Sequence, residues 1–261
     1  MALHGKVALV TGSTSGIGLG IARVLASHGA AIALNGFGDA GEIETLRRKL
    51  GDEFGVRVTY DGADLSRVSE VEALVRNTQN EHGGLDILVN NAGIQFTADI
   101  ADFPAERWDA VIAINLSSVF HAMRVAIPGM KAKGWGRIIN IASAHGLTAS
   151  AQKSAYVAAK HAVVGLTKVA ALELANAGVT ANAICPGWVL TPLVERQLHD
   201  RARSKNTGFD VEKRDLVAEK QPMHEFTTPE QVGALAAFLC SDDARTITGA
   251  PLSIDGGWLA H

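Results

Sequence analysis

Short apolar runs alternate along the chain with longer stretches in which apolar residues recur every three or four positions. The short runs are KVALVT (6–11), AIALN (31–35), RVTYDGA (57–63), DILVNNA (86–92), RIINIAS (137–143), TANAICP (180–186) and APLSID (250–255). Their length and their lack of a polar face predict strands buried on both sides. Between them, stretches such as GIARVLASHG and VEALVRNTQNEHG carry the period of helices with one apolar face. Seven such strands separated by helices predict a parallel sheet covered on both faces, a doubly wound α/β fold.

No repeat, low-complexity tract or linker divides the chain, and 261 residues lie within the range of one α/β domain, so a single domain over 1–261 is expected. One segment breaks the pattern. HDRARSKNTGFDVEKRD (199–215) is dense in charge and follows the sixth strand, on the side of the sheet where open α/β folds bind ligands. A lid spanning roughly 190–222 is expected there, with a solvated surface excursion as the bland alternative.

Composition narrows the class. Apolar residues make up 47% and charged residues 20%, which suits a globular protein with a large core. The 24 basic and 27 acidic side chains leave a net charge of −3 without a cationic run, so no nucleic-acid partner is expected. No run approaches about 18 consecutive apolar residues, and MALHGKVALVTG passes into a strand without a signal-peptide layout. A cytoplasmic protein with no membrane partner is expected. Cys185 and Cys240 lie in no metal-ligand spacing and read as buried apolar residues; no metal is expected.

Candidate chemistry begins directly after the first strand, where TGSTSGIGLGIA places Gly12, Gly16 and Gly18 between strand and helix. Glycines there permit positive φ and close approach of a pyrophosphate, and a helix N-terminus supplies free N–H groups. A second cluster lies in SAHGLTASAQKSAYVAAK (143–160). Tyr156 and Lys160 are four apart and share a helix face. A neighbouring ammonium is expected to lower the phenol pKa and make Tyr156 a usable acid/base. Ser143 and His145 raise the alternative of hydrolysis, but Ser143 lacks a G-x-S-x-G elbow and His145 has no evident orienting partner.

TGSTSGIG, NNAG (90–93), Ser143 followed by YVAAK (156–160), and PGWVLT (186–191) together resemble the short-chain dehydrogenase/reductase family over essentially the whole chain. The resemblance implies a three-layer Rossmann-like sandwich, a nicotinamide cofactor and a homotetramer. It implies cofactor contacts at Gly12, Thr14, Ser15, Gly16, Ile17 and Gly18, at Phe37, Asp64 and Leu65, at Asn91, Ala92 and Gly93, at Tyr156 and Lys160, and at Pro186, Gly187, Val189 and Thr191. It also implies that Ser143 polarises the substrate oxygen, Tyr156 exchanges its proton, Lys160 binds ribose and tunes Tyr156, and Asn115 holds a proton-relay water. A 2′-phosphate needs a cation just before the second glycine or just after the second strand, whereas Ser15 and NGFGDA (35–40) stand there, so NAD is expected. Asn35 occupies the place where many relatives carry an acid, and is expected to reach the ribose with the Gly36 and Phe37 backbone.

Gln95, His145 and Lys153 flank these motifs, and an amide, a histidine and a lysine beside an alcohol-oxidising site suggest a small substrate with a carboxylate. NNAGIQ, SAHGL with KSAYVAAKH, PGWVLTPLVERQ and SIDGGW add a closer likeness to family members acting on small 3-hydroxy acids. That likeness implies NAD-dependent oxidation of (R)-3-hydroxybutyrate to acetoacetate. Gln95, His145, Lys153 and Gln197 would then hold the carboxylate, and Trp188 and Trp258 would line the pocket. Ala162 stands where a glycine is familiar, with no functional change inferred. The alternatives are an NADPH-dependent reductase of carrier-linked 3-oxoacyl groups and a non-catalytic NAD-binding protein of the same fold.

Overall fold

The computed structural model describes residues 3–260. All seven expected strands form, β2 with the expected bounds, β5 and β6 starting one residue earlier and the others shorter: β1 (Val7–Val10), β2 (Ala31–Asn35), β3 (Val58–Asp61), β4 (Ile87–Asn90), β5 (Gly136–Ile141), β6 (Val179–Pro186) and β7 (Pro251–Ile254). They make one parallel sheet in the order β3-β2-β1-β4-β5-β6-β7. The order reverses between β1 and β4, and that reversal opens a crevice at the carboxyl ends of the strands.

Alternation along the strands explains the two covered faces. Val7 and Leu9 join Leu88, Ile138, Met123, Val163 and Leu174 in one cluster, while Ala8 and Val10 join Ile21, Leu25, Ile32, Val89, Ile139 and Val232 in the other. Helix α1 (Gly16–Ser27) and the last helix, α9 (Pro229–Cys240), share the second face. They approach so closely that a Cβ at Gly20 would meet Pro229 backbone. Helix α2 (Ala40–Phe54) borders that face, with Leu50 in its cluster.

The other face carries α3 (Val68–His82), a long helix comprising α4 (Ala105–Ile112) and α5 (Ser118–Lys133), and α6 (Ser154–Leu174). A π turn at Ala113–Ser117 joins α4 to α5. Two helical spans, Ala105–Lys133 and Ser154–Leu174, are long and apolar enough to cross a bilayer, although no run of consecutive apolar residues reaches that length. Part of their apolar surface, including Val119, Met123, Met130, Val163 and Leu174, belongs to the cluster on the sheet, while Phe120, Val169 and Leu172 are exposed.

The charged segment after β6 is helical. It contains α7 (Pro192–Lys205) and α8 (Phe209–Ala218), joined through Asn206 in the left-handed region at φ 54°. Its charge is largely internal: the buried Glu212 carboxylate accepts from Arg201 Nε (3.1 Å), Lys205 Nζ (3.1 Å) and Thr207 Oγ1 (2.8 Å). Beneath, Val194, Leu198 and Leu216 pack with Trp188, Leu190, Phe209 and Phe226. The excursion closes at its base, where Leu190 N–H donates to the Thr227 carbonyl (3.1 Å) and Thr227 N–H to the Trp188 carbonyl (3.0 Å).

Candidate active site

The crevice holds a cavity of about 750 Å³, within the range of ligand sites, that runs from the β1–α1 turn to the excursion. At one end, Gly12 and Gly16 adopt φ 62° and 57°. A Cβ at Gly12 would lie 2.9 Å from Ala92 Cα, so only glycine fits this turn. Ser15 precedes α1 in the capping position, yet its side chain makes no capping hydrogen bond. The first N–H groups of α1 are therefore left for an anion, as a pyrophosphate cradle requires. Gly18 lies buried under the cradle rather than in its wall: a Cβ there would fall well inside 3.0 Å of the Gly12 carbonyl.

Phe37, Asp64, Leu65, Asn91, Ala92 and Gly93 line the cavity beyond the cradle, together with Thr14, Ser15 and Ile17. The Asp64 carboxylate accepts from Ser66 N–H (2.9 Å) and Ser66 Oγ (2.8 Å), and these bonds, helped by Arg67, hold its pKa below the ordinary range. Among the described residues, no Lys or Arg lines this end. Asn35 lines the cavity as well, with its side-chain polar atoms already engaged by the protein. It is buried, its Oδ1 accepts from Gly12 N–H (3.3 Å), and its Nδ2 donates to the Asp61 and Ala63 carbonyls (3.1 Å each). Its polar atoms tie β2, β3 and the cradle together, while the Gly36 carbonyl accepts from Tyr60 Oη (2.8 Å) and the Phe37 carbonyl from Thr14 Oγ1 (3.0 Å).

The other end brings Ser143, Tyr156 and Lys160 into one wall. Ser143 follows β5 by two residues in extended conformation, and its Oγ accepts from His145 N–H (3.1 Å). Tyr156 and Lys160 rise from α6, with Lys160 Nζ 5.6 Å from the phenol ring centre and donating to the Ile141 carbonyl (2.8 Å). Burial pulls the Lys160 ammonium down to about 8. Burial likewise pushes the Tyr156 phenol up, opposed by its hydrogen bond with Ser143. Desolvation is the larger of these two effects on the phenol, and the Lys160 ammonium is committed to a carbonyl. Asn115, expected nearby, does not line the cavity. It is buried in the π turn, its Oδ1 accepting from Ile94 N–H (2.8 Å) and its Nδ2 donating to the Ile94 carbonyl (2.9 Å).

Gln95, His145, Lys153, Trp188, Gln197 and Trp258 line the same cavity, as do Pro186, Gly187, Val189 and Thr191. Thr191 caps α7, its hydroxyl accepting from Val194 N–H (3.3 Å). Gln152 turns the chain at φ 65°, and its carbonyl accepts from Ala98 N–H (3.0 Å) just before Lys153. His145 packs edge-on against Trp258 (5.1 Å between ring centres) and Tyr156 (6.0 Å), and its Nε2 meets Ser150 Oγ at 2.9 Å. Burial, reinforced by Lys153, Lys220 and His161, lowers its pKa to about 4, so the imidazole is neutral near pH 7. Burial, then Lys220, lowers Lys153. No carboxylate forms an ion pair with Lys153 among the described residues.

Several contributors escape sequence reading. Leu193 and Arg196 also line the cavity; they share with Gln197 an i, i+3, i+4 stripe that helical spacing alone would reveal. Gln221 is fully buried, its Oε1 accepting from Trp188 N–H, and no local pattern marks it.

Phosphate-directed N–H groups opening onto a buried phenol and ammonium are the equipment of a nucleotide-dependent α/β oxidoreductase. The chain belongs to the short-chain dehydrogenase/reductase family, and residues 12–259 match the family profile described as Enoyl-(Acyl carrier protein) reductase. It is 62% identical over 259 residues to the D-beta-hydroxybutyrate dehydrogenase of Cupriavidus necator, covering 99% of this chain and 100% of that one. It is 55% identical over 256 residues to the enzyme of the same name from Rhizobium meliloti, covering 98% and 99%. Among solved structures, the L-sorbose reductase of Gluconobacter frateurii, complexed with NADPH and L-sorbose, is similar at TM-score 0.95 and 32% identity, with 100% of both chains covered.

Proposed function

We propose that this chain catalyses the reversible, NAD-dependent oxidation of (R)-3-hydroxybutyrate to acetoacetate. The observation that carries the reading is Lys153 beside neutral His145, without an acidic partner, in the same wall as Tyr156 and Ser143. A cation left unpaired in a pocket calls for an anionic ligand, and here the anion would sit within one small molecule's length of the acid/base. The names of the 62% and 55% identical relatives support the same substrate.

When bound, the nicotinamide cofactor supplies the hydride acceptor and a positive ring. The free N–H groups at the start of α1 would hold its pyrophosphate, and the absence of a cation near Phe37 favours NAD over its 2′-phosphorylated form. Tyr156, as phenolate, takes the hydroxyl proton while C3 gives up its hydride, leaving a ketone. Lys160 keeps two N–H donors beyond the one spent on Ile141 and would bind ribose hydroxyls while opposing the desolvation of the phenolate. Ser143 steadies the reacting oxygen. Asn115 fixes the Ile94 backbone and, from the π turn, would support the proton relay. Gln95, His145, Lys153 and Gln197 receive the carboxylate, with Trp188 and Trp258 against the apolar end. Residues 190–222 act as a lid on a single catalytic domain; a cytoplasmic homotetramer completes the reading on resemblance.

Steady-state assays with each enantiomer and each cofactor test this. The expected result is turnover of the (R) form with NAD. Good activity on a neutral alcohol with none on 3-hydroxybutyrate would overturn it and favour the 3-oxoacyl reductase.

A further inference from the structure

The Trp188–Trp258 pair carries more charge than carboxylate capture by Lys153 alone explains. The rings stack with centres 6.4 Å apart and planes 26° apart. Lys153 Nζ lies 5.6 Å from the Trp188 ring centre, and a second cation, Lys220 Nζ, lies 5.9 Å from that of Trp258. Each wall of the aromatic pair thus bears an ammonium, with His145 packed against the Trp258 edge.

The Lys220 side chain is exposed, and its place beside Trp258 is set by the backbone around it. The residue after it, Gln221, is fully buried and bonds to Trp188 N–H, and Met223 N–H donates to the Gly256 carbonyl (3.1 Å). Trp258 sits on the adjoining turn, where Asp255 accepts from Gly257 N–H and Leu259 N–H (3.1 Å each). Glu219 pairs with Arg201 (2.7 Å), Asp255 serves its own turn, and the exposed Glu225 on the same loop forms no ion pair among the described residues. No carboxylate pairs with Lys220 among the described residues. Two ammonium groups facing the same imidazole without an acid repel one another, as the lowering of Lys153 and His145 by Lys220 registers. An arriving anion relieves that repulsion, and a neutral ligand does not.

We infer that Lys220 is a specificity-determining residue, a second cation behind Trp258 that selects substrates with a free carboxylate over esters, thioesters and neutral alcohols. The inference rests on the proposed hydroxy-acid reading. Lys220 does not line the cavity, so it acts through space and from outside the reacting centre.

The test compares the full-length wild type with Lys220→Gln and Lys220→Arg, using (R)-3-hydroxybutyrate and its methyl ester at saturating NAD. For Lys220→Gln we expect KM for the acid to rise roughly three- to tenfold, kcat to hold, and kcat/KM for the ester to stay unchanged. The rise should shrink as salt increases, and Lys220→Arg should restore the wild-type value. Equal loss on both substrates, or an unchanged KM for the acid, would overturn the inference. Butyrate, which lacks the oxidisable hydroxyl, separates this from the reaction itself through quenching of tryptophan fluorescence. Butyrate affinity that falls in Lys220→Gln supports the second cation even if 3-hydroxybutyrate is not turned over. Butyrate affinity that is insensitive to Lys220 refutes it even if turnover is high.

Discussion

Replacing Asn35 by aspartate imitates the acid that many relatives carry at this place and is the natural design for tighter NAD binding. The structure predicts the opposite. Asn35 Nδ2 donates to two carbonyls, those of Asp61 and Ala63, at 3.1 Å each, inside a buried site. In Asn35→Asp an oxygen replaces that nitrogen and confronts both carbonyls, so two hydrogen bonds become repulsive contacts. At about 1–3 kcal/mol for each of the two buried carbonyls left unsatisfied, roughly 2–6 kcal/mol of stability should go. For a chain of this length that is a fall in Tm of roughly 4–24 °C. Burial and the facing carbonyls raise the new carboxyl's folded pKa above its unfolded value of about 3.9. The deficit is therefore smallest below about pH 4 and grows as pH rises through the raised pKa. Thermal denaturation of wild type and variant from pH 4 to 8, with NAD affinity by calorimetry, reads both parts. A variant as stable as wild type with tightened NAD binding would refute the placement of Asn35 as a strut.

Other substitutions divide the site by task. Tyr156→Phe should lower kcat by roughly 10²–10⁴ with NAD affinity retained, read by single-turnover absorbance. Lys153→Ala should raise KM for the hydroxy acid by roughly 10–100-fold, the worth of a charged hydrogen bond, with NAD affinity unchanged. Lys160→Met probes the ammonium that burial pulls down to about 8. Between that value and about 10.4 the unfolded chain binds more protons than the folded one, so wild type should gain stability relative to Lys160→Met as pH rises from 8 to 10, read by urea midpoints.

The strands, the cradle and the Tyr156–Lys160 pair were legible because each is a local pattern: alternation, glycine spacing, or a four-residue helix interval. What escaped depends on partners distant in the chain. Asn35 is a strut only because Gly12, Asp61 and Ala63 surround it. Gln221 matters because it grips Trp188, and Lys220 because Trp258 folds back beside it. For Tyr156, proximity to Lys160 follows from spacing, but the burial that pushes the phenol up follows from the packed whole.

The hydrogen bonds of Leu190 and Thr227 at the base of the excursion have a consequence for how this chain can change. They make the stretch between them a loop whose ends are already joined, hung from β6 and α9 by its neck. For such a loop, doubling the length costs only about 0.6 kcal/mol of closure entropy. Insertions or exchanges in α7 and α8 can reshape what covers the crevice while the register of the seven strands stays as it is. Selectivity on the excursion side can diverge faster than the hydride-transfer wall beneath it.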